Sequence, residues 1–555
     1  MRPGAGAAAP GITLTVRRAG SPVRSTTSVP ALDRRAFLRG SGLAAFAVLG
    51  AVATTGCASA VAELRSGAAV SGDVTARRGG TVRVGLANDL VAGGILTSSN
   101  DAIITTVGLV YETLIRYPGD SLEPQPSLAT SWQLAADRLS LDLRLRDDVH
   151  FHSGRRFTSA DAEFALRTYA DPKWTAQLRS TAATITGYDT SDPARLVLTF
   201  ARPIGNIFDL LDIVPMIDRD TVAELAAGET YIGTGPFVLA SRTPNSQIVF
   251  ERNSNYWRPD RPYLDRVEAA VITDSSALLA NVRSGRIDYT GALTYRDANN
   301  LTRLGGFSVV EEEGAEGQFY LGTNVASPAL QDVRVRRAIA YAVDRERIVD
   351  EVFRGAAYPA NLPWPRHSPA YDEDRNTTYT LDPDRARALL AEVGELPPIP
   401  LTYAAGSPSN ETIAQIVQAD LAAVGLTVEL DPVENAVAVK QLIAGQFPGL
   451  WLLTHSFAQY TPATLTVSAY PFNARRNASN FTDADYLAAA EAAWPVSGEE
   501  PEALARYRAV NDQLLEHLFL IELAVVVPRL VTTSRLRGFG WTRRTEPQLA
   551  DAFLA

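Results

Sequence analysis

From Leu139 to Arg146 apolar and polar residues alternate strictly, which predicts a strand with Leu139, Leu141, Leu143 and Leu145 on its buried face. Val82, Val84 and Leu86 show the same two-residue period, and the folded part is expected to begin there. Ile103 to Ile115 has a helical period instead. Thr158 or Ser159 is placed to cap a helix carrying Ala162, Phe164, Ala165 and Leu166. In the second half, Asp382-Pro383 precedes a helical run closed by Gly394, with proline at the first helical position. Residues 400–403 read as a strand. Ser409 or Asn410 then caps a helix whose stripe holds Ile413, Ile416, Val417, Leu421 and Val424. Gly425 ends that helix, and Leu426 to Leu430 form the next strand. Strand, helix and strand with short connections make a βαβ unit, so the two strands are predicted parallel. The chain therefore reads as α/β, without a repeat at solenoid spacing.

The first 56 residues follow another logic. They hold seven arginines (Arg2, Arg17, Arg18, Arg24, Arg34, Arg35, Arg39) and one acid, Asp33. That is +6 on a chain whose total is -10, so the remainder carries -16. Arg34 and Arg35 form a twin-arginine export pattern, followed by an apolar run from Leu43 to about Ala53. The run is shorter than the ~20 residues a bilayer span needs, and it fits the core of a cleaved signal. Cys57 follows directly. Its setting resembles a lipobox, although Thr54 stands where leucine is usual. Residues 1–56 are thus expected to be a twin-arginine, lipoprotein-type signal peptide, with lipidated Cys57 as the first mature residue. Residues 57–77 are expected to be a flexible tether to the outer face of the cytoplasmic membrane.

Composition narrows the chemistry. With 555 residues, 46% hydrophobic and 21% charged, the chain is of ordinary globular make-up and long enough for several domain-sized units. One cysteine excludes a disulfide framework, a Cys-only zinc site and an iron–sulfur cluster. The two lysines, Lys173 and Lys440, are followed by Trp174 and Gln441, so there is no phosphate-binding Gly-Lys-Ser/Thr loop. Neither a Gly-x-Ser-x-Gly elbow nor a His-Glu-x-x-His helix is present. The acidic mature charge disfavours nucleic acid as a partner.

Four blocks in order carry a family resemblance. The first is Val110-Tyr-Glu-Thr-Leu114, with Pro124 and Leu128-Ala-Thr-Ser-Trp132. The second runs from Leu143 through Val149-His-Phe-His152, Gly154 and Phe157-Thr158 to Asp161. The third is Gly233-Thr-Gly-Pro-Phe237 with Glu251-Arg-Asn-Ser-Asn-Tyr-Trp257 and Leu264-Asp265, and the fourth is Val333 to Arg345. Together they resemble the family 5 extracellular solute-binding proteins of ABC importers, which include oligopeptide-, dipeptide- and nickel-binding lipoproteins. The resemblance implies a two-lobed periplasmic-binding-protein fold of type II, with an extra subdomain inserted in the first lobe. Lobe one would comprise 78–116, 205–300 and 522–555, the inserted subdomain 117–204, and lobe two 301–521. It further implies a non-enzymatic receptor without cofactor, which closes on a peptide or peptide-like solute and hands it to permease subunits. The same fold also serves solute-sensing receptors and binders of oligosaccharides or metal chelates.

In peptide-binding relatives a lobe-two carboxylate meets the peptide's ammonium. On the resemblance, Gln459 holds that position here, and glutamine cannot neutralise the charge. Candidate solute contacts are therefore His455, Gln459, Tyr460 and Asn324, with Asn88 and Asp89 after the first strand. Strand ends facing a crevice are the usual ligand position in open α/β sheets. His150 and His152 are too few for a metal site and are read as part of a structural turn. Arg334, Arg336 and Arg337 are read as a solvated helix face paired with Glu346 or Asp350, and Glu311-Glu312-Glu313 as an exposed turn.

Overall fold

The computed structural model describes residues 76–96, 100–119, 121–174, 176, 178–456 and 461–555. The expected signal peptide with Arg34 and Arg35, the lipidation site Cys57, most of the tether, Gln459 and Tyr460 lie outside these residues.

Two large sheets organise the chain. The first orders its strands Phe307–Glu311, Arg529–Thr533, Tyr289–Thr290, Thr81–Leu86, Arg266–Val271, Gln247–Arg252 and Phe237–Thr243. The second orders them Ala357–Pro359, Leu520–Val526, Gly317–Thr323, Leu450–His455, Ile399–Ala404 and Val428–Val433. Between the first lobe's strands the chain also builds a four-stranded antiparallel sheet, Ala129–Leu134, Ser140–Leu145, Arg195–Phe200 and Ile185–Asp189. The chain passes between the large sheets at 312–316 and again at 527–528. On strand pairing the exchange therefore comes later than the expected boundaries at 300/301 and 521/522. Phe307–Glu311 pairs with Arg529–Thr533 in the first sheet, and Leu520–Val526 pairs with Gly317–Thr323 in the second. The two crossings are tied together by Glu312 N donating to Pro528 O at 2.9 Å.

The local patterns explain most elements. Leu141, Leu143 and Leu145 are buried while Arg144 between them is exposed, the alternation expected of a half-buried strand. Ile399–Ala404 and Val428–Val433 are parallel, joined through the helix Pro408–Ala423. That helix starts two or three residues earlier than expected. Ser407 caps it by accepting from Asn410 N, and Pro408 takes the first helical position. The helix predicted from Ile103 to Ile115 instead spans Asp101–Val110, and the chain turns extended from Tyr111. Asp382 caps Pro383–Val393 by accepting from Arg385 N at 2.9 Å. Asp382→Ala should lower stability by about 1 kcal/mol, read from the urea midpoint.

The second lobe's core is aromatic. The Trp451 indole lies against the strand opposite, edge to Tyr320 at 5.4 Å and stacked on Phe447 at 4.7 Å. A Cβ on Gly322 would stand 1.8 Å from Trp451 Cε2, so only glycine admits the indole there. At the edge of this core Arg345 is buried. Its Nε donates to Glu522 O (2.8 Å) and Ala360 O (3.1 Å), and its Nη1 to Ala340 O (2.8 Å) and Tyr379 O (3.2 Å). Glu522, 3% exposed, holds a carboxylate that accepts no hydrogen bond. Burial pushes its pKa well above the ordinary range, and the charge of Arg345 opposes the shift.

Two charged groups are buried against expectation. Arg336 does not face solvent, since it donates to the carbonyls of Leu330, Gln331 and His517. Arg334 pairs with Asp332 at 2.7 Å and Glu392 at 3.5 Å rather than with Glu346 or Asp350. Glu312 is buried beside the crossing, and burial raises its pKa to about 8.

Candidate functional site

A cavity of about 220 Å³ lies where the two large sheets meet. Its floor is the crossing backbone, Ala315 and Gly317 on one pass, Val526 and Pro528 on the other. Ile104 and Tyr295 wall it from the first lobe, and Phe319, Thr454, His455 and Ser456 from the second. Arg543, Arg544 and Thr545, near the carboxy terminus, close the remaining side. Hollows of about 450 and 420 Å³ exist elsewhere, but neither touches the crossings.

Packing holds these walls. Phe353 takes the Tyr295 ring edge-on at 5.5 Å and the Phe319 ring at 5.0 Å, so residues of both lobes brace one another. Burial raises the Tyr295 phenol to about 12, which keeps it a neutral donor. His455 ends the strand Leu450–His455, pairs in register with Gln318 and packs near Phe472. Burial lowers its pKa to about 4, so it is neutral at neutral pH. Arg543 donates to Ser121 O at 2.7 Å and lies 2.6 Å from His367 Nε2. His367 Nδ1 stands 3.4 Å from Glu316 Oε2. Burial pushes the Glu316 carboxyl up, yet the His367 ring and backbone N–H groups hold it below its usual range. Arg544 pairs with the fully buried Glu546, which Arg116 approaches to 3.6 Å. Arg543 and Arg544 thus line the cavity with their guanidinium groups already engaged, and among the described lining residues there is no carboxylate.

Of the candidates read from sequence, the structure brings His455 to this cavity. Asn324 sits at the far end of the strand Gly317–Thr323. There its amide donates to Phe447 O (2.8 Å) and accepts from Asn480 (3.1 Å), a lobe-two loop clasp. Asn88 is held by Asp101, its amide donating to Oδ1 at 3.0 Å. Burial pushes the Asp89 carboxyl up, but Arg242 at 2.8 Å and the Asn245 N–H at 2.7 Å outweigh it and hold its pKa low. Neither Asn88 nor Asp89 lines the cavity. Sequence reasoning missed Arg543, Arg544 and Tyr295, and the adjacent arginine pair in an otherwise unpatterned tail was the available signal. His152 packs against the Gly233–Gly235 turn, its Nε2 3.0 Å from Gly235 O. Tyr256 and Trp257 donate to the buried Glu112 at 2.9 and 3.0 Å. Among the described residues no group of three or more His, Cys, Asp or Glu side chains is placed to hold a metal ion.

Comparison with known proteins agrees with this architecture. "Di/tripeptide-binding protein 2" of Pseudomonas aeruginosa is 29% identical over 372 residues, covering 61% of this chain and 69% of the relative. The fold matches the binding protein AgaA of A. tumefaciens, solved with agropinic acid, at a TM-score of 0.77 and 22% identity, over 86% of this chain and 99% of that one. It matches the oligopeptide-binding protein AppA of Bacillus subtilis, solved with a nonapeptide, at 0.75 and 21%, over 87% and 100%. Both are two-lobed binding proteins, and the present fold is of that kind. The model of the bacterial extracellular solute-binding proteins, family 5, matches residues 123–474, and the chain belongs to that family.

Proposed function

We propose that this chain captures a small, peptide-like solute between its lobes outside the cytoplasmic membrane. It passes the solute to the permease subunits of an ABC importer and performs no covalent chemistry on it. The observation that carries the reading is the position of the cavity. Its floor is the backbone joining the sheets and its walls come from both lobes, so a guest there touches both and biases their relative position. The cavity falls below the ~300–1,000 Å³ of ordinary ligand sites, which favours a di- or tripeptide-sized guest over a long peptide. The described lining residues carry no carboxylate, which disfavours a guest anchored by its ammonium. The twin-arginine pattern and Cys57 support export and a lipid anchor.

Native mass spectrometry of protein purified without denaturation tests this. A co-purifying solute of small mass is expected, and a panel of di- and tripeptides, free and amino-acylated, should then compete for it. Absence of any adduct together with absence of calorimetric heat across the panel, or catalytic turnover of a panel member, would defeat the reading.

A further inference from the structure

We infer that Asp209 is a closure residue: carried by the first lobe, it clasps Thr461 and Thr464 of the second and holds the lobes together. The inference rests on the reading that the lobes close about a solute, and it concerns residues that do not themselves line the cavity. Asp209 lies on the helix Ile207–Ile213, between the four-stranded sheet and the outer strands of the seven-stranded one. Thr461 and Thr464 follow the second-lobe strand Leu450–His455, and Thr461 caps the helix Pro462–Ser468. The Asp209 carboxylate is 1% exposed. It accepts from Tyr117 Oη at 3.0 Å, from Thr461 Oγ1 at 3.0 Å and from Thr464 Oγ1. Beside it the buried Asn206 donates to Thr181 Oγ1 and Thr464 Oγ1, each at 3.0 Å. Two more polar contacts join the same parts of the chain: Thr181 Oγ1 with Ser468 Oγ at 3.3 Å, and Arg138 Nη1 to Ser497 Oγ at 3.1 Å.

The chemistry of this contact suits reversibility. An apolar seam would expose greasy surface each time the lobes part. A carboxylate facing hydroxyls loses little on opening, because water replaces each hydroxyl donor. Closed, it demands all its donors at once, since a buried charge is costly without them.

The proton supplies a distinguishing signature. Asp209 is faced by Tyr117 and Asp212 from its own lobe and by Tyr507 from the second, with Arg138 behind Tyr507 and Arg543 beyond Tyr117. Burial raises its pKa to about 6, against the hydrogen bonds from Thr464, Tyr117 and Thr461. Opened to water, it would return to about 3.9. The closed form therefore binds the proton more tightly, and closure strengthens as pH falls from 7 towards 4, by roughly 100-fold at the limit.

Nitroxide labels at Arg283→Cys and Ala391→Cys, one on each lobe, in a Cys57→Ser background report the interlobe distance without any solute. In that parent the short-distance fraction should grow between pH 7.5 and pH 5. Asp209→Ala should cut that fraction at least fivefold and flatten its pH response. Asp209→Asn, which keeps the acceptor, should retain closure but lose the pH response, and Thr461→Val with Thr464→Ala should match Asp209→Ala. Distance distributions that are unchanged in Asp209→Ala, or pH-independent in the parent, overturn the proposal. So does an Asp209→Ala protein that melts earlier while keeping the parental distances, because that marks a scaffold carboxylate. A parent that captures no solute yet opens on Asp209→Ala would sink the capture reading and leave the clasp standing.

Discussion

Arg345→Ala is expected to destabilise the protein by about 3–5 kcal/mol, because each buried carbonyl left without its donor costs ~1–3 kcal/mol before the site relaxes. Its guanidinium satisfies four carbonyls that come from well-separated parts of the second lobe, Ala340, Ala360, Tyr379 and Glu522. It is also the charge that opposes the upward shift of the Glu522 carboxyl. Truncation leaves those four buried acceptors without a donor. Urea unfolding followed by tryptophan fluorescence should show the midpoint fall. Adding Glu522→Gln to Arg345→Ala should move the midpoint little further, because burial already holds that acid neutral. A loss below about 1 kcal/mol would mean that the carbonyls find water and that the guanidinium is not a structural centre.

Thr454→Trp is expected to weaken solute capture by at least about 100-fold, equivalent to ~2.7 kcal/mol of binding free energy. Thr454 is solvent-exposed on the end of a second-lobe strand and lines the cavity. An indole there occupies space the guest needs without invading the packed core, so the melting temperature of the free protein should hold. Loss of the co-purifying adduct in native mass spectrometry is the readout. An adduct retained at wild-type occupancy would move the binding place out of this cavity, to one of the hollows elsewhere.

What the sequence made legible follows from how local each signal is. The Leu139–Arg146 alternation needs only a strand with one wet face, and it appears as Ser140–Leu145. The parallel pair around Pro408–Ala423 needs only short connections, and it forms. Ser409 and Asn410 are good caps by residue type but sit inside the first turn, and Pro408 marks the true boundary. Arg336 looked solvated because its acceptors are backbone carbonyls, and one of them, His517 O, lies 181 residues away. Side-chain periodicity cannot reveal a carbonyl. Asn324 was placed near the cleft from the strand it follows, but it is the strand's beginning, Gly317 to Phe319, that meets the cavity. The arginines at 543 and 544 carry no period at all, and only the fold brings that tail to the junction.

The cavity floor has a mechanical consequence. Ala315 and Pro528 lie on the two crossings about which the lobes must rotate, and Gly317 and Val526 are the strand ends beside them. A guest resting there keeps its floor contacts nearly fixed as the jaws swing, so its bias toward closure comes from the walls each lobe contributes. Asp209 and Thr461 belong to neither crossing, so their separation must change as the lobes part. Affinity at the pivot and travel at the rim can then be tuned by separate substitutions, so one scaffold can change its cargo without changing its stroke.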